Sequence, residues 1–248
     1  MVCCGYNFGA ADEMLHLAKT ALRWSPGGSE WVSLPDLPEK RPGLACVSLP
    51  DGQTLAIGGV VTGQQQQAVA SVLALASDGT EWSAVAPMDQ IRFGAAAAVL
   101  PDSKVLVAGG QATDQADSVL GTAELYDLAT NTWTALPDMA HERAQFGMCV
   151  LPSVRMDVMG GFGVDGHGCK DCEAFDPVKR TWEALPEMAV HVARRNPATA
   201  PVAGGMVVAG METVDLFDEE SGRWLRLPHP MAQPRVTTQL VSLPASAQ

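Results

Sequence analysis

The sequence predicts an all-β fold built from repeated four-stranded units, a β-propeller, on three observations that stay in phase along its 248 residues. Apolar segments ending in glycine recur as Ile57-Gly58-Gly59, Ala108-Gly109-Gly110, Met159-Gly160-Gly161 and Ala209-Gly210-Met211, a period of about fifty residues that marks propeller blades. Trp31, Trp82, Trp133, Trp182 and Trp224 keep nearly the same step, and only Trp24 stands outside it. Seven residues before the last four of these tryptophans stand Leu75, Tyr126, Phe175 and Phe217, three of them followed by Asp127, Asp176 and Asp218.

The elements follow in order. Residues 1–5 match 55–59 as the tail of a second strand, and 14–18 match 72–76 as a third. The clearest unit begins at 94–100, where small side chains mark an inner strand. It turns at Pro101-Asp102-Ser103 into 104–108, continues as 122–126, turns through 127–132 and returns around Trp133. The aromatic and the tryptophan then face each other across the third and fourth strands, where cross-strand ring packing holds a blade together. Glycine ends the second strand because a side chain there would obstruct the neighbouring blade. Residues 238–244 match 45–50 as a first strand.

The strand, Gly-Gly, aromatic, six-residue gap and tryptophan resemble the Kelch repeat, and the resemblance covers nearly all of the chain. Five four-stranded blades are expected, one of them split between 1–35 and 235–248 and closed by pairing of the terminal segments, so that residues 1–248 form a single domain. Five is low for Kelch proteins, in which six or seven blades are usual. The alternative is an open fragment of a six- or seven-bladed ring.

A formal net charge of −12 argues against a nucleic-acid partner, which calls for a basic stripe. No apolar run approaches the roughly 20 residues of a membrane span, and residues 1–20 lack a signal peptide's basic and apolar regions. Six cysteines without such a signal point to free thiols in the cytoplasm. A monomer is expected.

With four antiparallel strands per blade, the second-to-third and fourth-to-first connections emerge at one face. Residues 60–70, 111–121 and 162–170 are long, polar and unlike each other there, while Pro50-Asp51-Gly52 and Pro101-Asp102-Ser103 make short turns opposite. Dissimilar loops on a repeated scaffold are where recognition concentrates. Arg41, Arg92 and Arg143 each follow their tryptophan by ten residues, Arg194 and Arg195 by twelve and thirteen, and Arg235 by eleven. An arginine repeated in register serves either of two ends: hydrogen bonds to carbonyls between blades, or a ring of guanidinium groups at the channel mouth. Kelch proteins that capture acidic peptides use arginines in this loop, so the resemblance implies that Arg92 and Arg143, backed by Arg194 or Arg195, grip carboxylates bidentately. Phe93, Phe146 and Phe162 are the aromatic anchors available, each also readable as ordinary packing.

His167-Gly168-Cys169-Lys170-Asp171-Cys172 sets a histidine beside a Cys-x-x-Cys, but a tetrahedral zinc site needs a fourth donor and no second such motif occurs. No metal or cofactor is expected. Cys3, Cys4, Cys46 and Cys149 fall at strand positions and read as core. Copper oxidases on similar propellers need tyrosine ligands, and Tyr6 and Tyr126 are the only tyrosines. These readings converge on a protein-binding module that takes an acidic or polar peptide on the arginine-lined loop face, as an adaptor or substrate receptor. The alternative is a small-molecule enzyme of sugar-epimerase type with His141, Glu142 and His191 at the channel mouth.

Overall fold

The computed structural model describes residues 2–4, 19–24, 30–61, 67–151, 153–188, 197–210 and 213–228. The first sheet contains β1 (Val2–Cys4), β2 (Ala21–Arg23) and β3 (Val32–Leu34). The second orders β4 (Ala45–Ser48), β5 (Thr54–Ile57), β8 (Val72–Leu75) and β9 (Trp82–Val85), with a small hairpin of β6 (Val60–Val61) and β7 (Gln67–Ala68) inserted in its loop. Three further sheets follow in chain order: β10 (Ala96–Val99) to β11 (Val105–Ala108), β12 (Ala123–Asp127) and β13 (Thr132–Leu136); then β14 (Gly147–Val150) to β15 (Met156–Met159), β16 (Cys172–Asp176) and β17 (Thr181–Leu185). The last runs from β18 (Ala198–Val202) through β19 (Gly205–Gly210) and β20 (Thr213–Asp218) to β21 (Arg223–Arg226). All pairings are antiparallel and, apart from β5 with β8 across the inserted hairpin, join sequence neighbours, the meander that defines a propeller blade.

The first strands gather at the hub, where β4 lies beside β10, β10 beside β14 and β14 beside β18. Alternation along a strand explains their composition. Ala95, Ala97 and Val99 pack into the core shared with the preceding blade, whereas Ala96 and Ala98 pack into the core shared with the following one. β11 divides the same way, Val105 and Val107 to one side and Leu106 and Ala108 to the other, so its run is apolar without a break. Alanine suits β10 because two neighbouring blades converge on it.

The predicted ring pairs form. Tyr126 and Trp133 are directly opposite at 4.9 Å between centroids, and Phe175–Trp182 and Phe217–Trp224 each lie at 5.0 Å. Each indole also reaches outside its blade. The Nε1 of Trp82 donates to the Pro35 carbonyl, that of Trp133 to Ala86, that of Trp182 to Pro137 and that of Trp224 to Pro186, all at 2.8–2.9 Å. The repeated tryptophan thus supplies ring packing within a blade and a hydrogen bond to the end of the preceding one.

The paired glycines are required by close approach. Gly109 sits at φ +62°, and a Cβ on it would lie 2.4 Å from the Arg143 carbonyl oxygen; at Gly58 the corresponding distance to the Arg92 carbonyl is 2.3 Å. The obstruction is the incoming fourth-to-first loop, which lies against the end of the second strand.

One expectation for the first unit needs correcting. Its third strand is β2, paired Ala21↔Leu34 through Arg23↔Val32, and continuing this register by one residue sets Trp24 opposite Trp31. Trp24 therefore holds the blade-aromatic place seven residues before Trp31, the same interval as in the other units. Residues 14–18 and the closing segment 238–244 lie outside the described residues.

Candidate partner-binding face

Second-to-third and fourth-to-first loops do share one face and are stitched together there. Phe93 bridges Gln111, which bridges Val119, and Ala144 bridges Phe162, which bridges Gly168. Phe146 and Phe162 are buried by this stitching and Phe93 partly so, which makes them packing residues rather than anchors.

The arginines on this face are not available in the way the resemblance implied. Arg41, Arg92 and Arg143 are all buried, the last two with no exposed side-chain surface. The backbone of Arg92 is held by the preceding blade, its carbonyl accepting from Gly59 at 2.9 Å, while its side chain enters the following blade. There Nη1 donates to the Gly109 and Thr122 carbonyls at 2.8 and 3.1 Å, and Nη2 donates to Glu124 Oε1 at 2.7 Å. Arg143 repeats the arrangement one unit later: its carbonyl accepts from Gly110, Nη1 donates to the Asp171 carbonyl at 2.9 Å, and Nη2 donates to Glu173 Oε1 at 2.8 Å. Glu124 in turn accepts the amides of Asp89 and Gln90, and Glu173 those of Ala140 and His141. Each arginine is a rivet through a blade seam, and each glutamate closes the loop that carries it.

Burial pulls the Arg92 guanidinium below its usual range against the opposing pull of Glu124, and an arginine remains charged under such a shift. Arg41 makes the same carbonyl bond, to Ser71 at 3.0 Å, but Leu73 stands where Glu124 and Glu173 stand in the next units, and its Nη2 pairs instead with Glu39 at 2.7 Å. Arg194, Arg195 and Arg235 lie outside the described residues, as does His191. Of the two ends open to a repeated arginine, Arg41, Arg92 and Arg143 serve the carbonyls and carboxylates of the fold, because desolvated guanidinium groups need fixed acceptors. Glu124 and Glu173 are the residues that the sequence reading missed. Their signal was a carboxylate two places before the blade aromatic, on a strand otherwise buried at every neighbouring position.

What the face does offer is a cleft of about 400 Å³ between the loop at 140–143 and the loop at 163–171. His141 and Glu142 form one wall, and Val164, Asp165 and His167 form the other. Cys169 lies half-buried in it, its thiol pushed up chiefly by burial, with Arg143 opposing and Asp171, Asp165 and Glu142 adding to the rise. Cys172 is inside β16, and burial pushes its thiol up to about 12. The two cysteines of the Cys-x-x-Cys therefore occupy different environments, and no metal-ligating cluster of three or more donors occurs among the described residues.

A family model described as the Kelch motif matches residues 92–140 and 158–189, the first starting at Arg92 and the second within β15. The F-box/kelch-repeat protein At1g80440 of Arabidopsis thaliana is 33% identical over 157 residues, covering 60% of this chain and 43% of its own length. The F-box/kelch-repeat protein At2g44130 of the same plant is 34% identical over 136 residues, covering 53% of this chain and 32% of its own length. The chain carries Kelch motifs and is similar to Kelch-repeat proteins. The chain spans less than half the length of these Kelch relatives. Among solved structures, that of YjhT is similar with a TM-score of 0.77 at 13% identity, covering 90% of this chain and 80% of that one, a likeness of fold. The Kelch blades contain no helix, among the described residues, long and apolar enough to cross a membrane.

Proposed function

We propose that this Kelch propeller is a protein-binding module that receives a partner polypeptide on its loop face, as an adaptor or substrate receptor. The observation that carries this reading is the contrast between the two ends of the blades. One end has short turns such as 50–52 and 101–103, and the other has long loops of unrelated sequence that enclose a cleft. The relatives named as F-box/kelch-repeat proteins support an interaction role. An acidic ligand, the preference first expected, loses Arg41, Arg92 and Arg143 as its receptors and would rest on Arg194, Arg195 and Arg235 alone. A binding role is preferred to catalysis because His141 and Glu142 are exposed, whereas an acid–base pair is tuned by desolvation. Free thiols at Cys149, Cys169 and Cys172 suit a cytoplasmic setting.

Two exposed valines give the test. Val164 lies on the loop face at 48% exposure and Val178 on a turn of the opposite face at 88%. A photo-crosslinking amino acid placed at position 164 is expected to give a discrete protein adduct in cell extract, and the same group at 178 none. Equal labelling from both positions, or none from 164, overturns the reading.

A further inference from the structure

The loop-face cleft carries a charge pattern opposite to the one its arginines suggested, and this deepens the binding-module reading on which it rests. We propose that the cleft between the loops at 140–143 and 163–171 receives a basic segment of the partner, with a lysine or arginine side chain entering between Glu142, Asp165 and Asp171.

Four observations support this occupant. The first is concavity: about 400 Å³ is room for a long side chain and the backbone beside it, and the cleft is walled by two separate loops rather than by a single run of charges. The second is that the carboxylates are uncommitted. Glu142 and Asp171 take part in no side-chain hydrogen bond or ion pair among the described residues, and Asp165 uses Oδ1 to accept the His167 amide in a local turn.

The third is that the cations nearby are engaged elsewhere. Lys170, which lines the same cleft, has its Nζ 2.5 Å from Glu187, and Arg143 is buried against Glu173. Among the described residues, an acidic segment would therefore meet three carboxylates with Lys170 and Arg143 already paired, while a basic one finds carboxylates not paired to any described cation. The fourth is convergence. Glu142, Asp165 and Asp171 come from two loops yet line one cleft beside Cys169, whose thiol all three push up. Val164 at the rim supplies apolar surface for the aliphatic stem of lysine or arginine. The net charge of −12 steers a basic segment toward the molecule as a whole, and the cleft determines where it lodges.

Selection of a randomised peptide library displayed on phage against the full chain tests the proposal. Enriched sequences are expected to carry lysine or arginine. A synthetic peptide of the enriched sequence should bind the Glu142→Gln, Asp171→Asn double variant about tenfold more weakly than wild type, as the loss of two partly exposed ion pairs implies. It should also weaken as salt is raised. Glu220→Gln, an exposed carboxylate on the opposite face, should leave binding unchanged. Enrichment of acidic or uncharged sequences, no enrichment at all, or equal loss from Glu220→Gln overturns the proposal. The outcomes separate from those of the parent reading: a crosslinked partner at position 164 with no preference for basic peptides retains the binding module and removes its charge specificity, whereas no adduct at 164 removes the module itself.

Discussion

Replacing Glu173 by alanine tests whether the repeated arginines are rivets. In the folded protein the Glu173 carboxylate accepts three hydrogen bonds, from Arg143 Nη2 at 2.8 Å and from the amides of His141 at 3.2 Å and Ala140 at 2.7 Å. Both side chains of the ion pair are almost wholly buried, at 0% and 2% exposure. The substitution leaves a desolvated guanidinium without its counter-charge and two loop amides without acceptors. Breaking a buried pair from one side costs about 3–5 kcal/mol, a large share of the roughly 5–15 kcal/mol that holds a domain folded. For a chain of this size the loss corresponds to a fall in Tm of about 6–20 °C, at roughly 2–4 °C per kcal/mol. Urea denaturation followed by circular dichroism gives the free energy directly, and Arg143→Met combined with Glu173→Leu should recover part of it, since no buried charge is then left alone. A change below about 0.5 kcal/mol for Glu173→Ala would refute the reasoning, because only a solvated Arg143 tolerates the loss of its partner so cheaply. That outcome would return Arg143 to the loop face as a group free to meet a ligand.

Three other outcomes are expected. Gly109→Ala should cost at least about 3 kcal/mol in denaturation midpoint measurements, from a left-handed backbone and a Cβ 2.4 Å from the Arg143 carbonyl, whereas Gly166→Ala, at φ +72° with open space around it, should cost only about 1 kcal/mol. Trp133→Phe keeps the ring packing but removes the indole hydrogen bond to the Ala86 carbonyl, so a loss of about 1 kcal/mol, read by chemical denaturation, is expected. Cys149 and Cys172 are both raised to about 12 by burial, so their contribution to stability is full below the ordinary thiol value near 8.5 and is lost as pH climbs from there toward 12. At about pH 10 the loss amounts to at most about 2 kcal/mol per thiol, and a Cys149→Ala, Cys172→Ala variant should show a flatter alkaline limb in its Tm-against-pH profile.

Much of the blade was legible in the sequence for a local reason. Strand alternation, turn residues and the seven-residue step from aromatic to tryptophan are set within one unit, where neighbours in sequence are neighbours in space. Tyr126 opposite Trp133 follows from counting residues around one turn. Trp24 could have been placed by the same count back from Trp31, and was obscured because residues 14–18 also carry an apolar strand pattern.

The fate of the arginines was decided at another level. Their period in the sequence shows that each blade has the same use for the residue, but not whether that use is a ligand or a seam. The answer depends on Glu124 and Glu173, thirty or so residues away, and on carbonyls that become acceptors only when one blade leans on the next. The loop-face cleft has the same origin, since Glu142 and Asp165 belong to different loops and share a cavity only after Ala144 and Phe162 have been bridged. Periodicity by itself determined the blade, because strand and turn energies are local. Packing between blades decided which charges are locked inside and which face a partner, because desolvation and ion pairing depend on the three-dimensional neighbours that each group acquires.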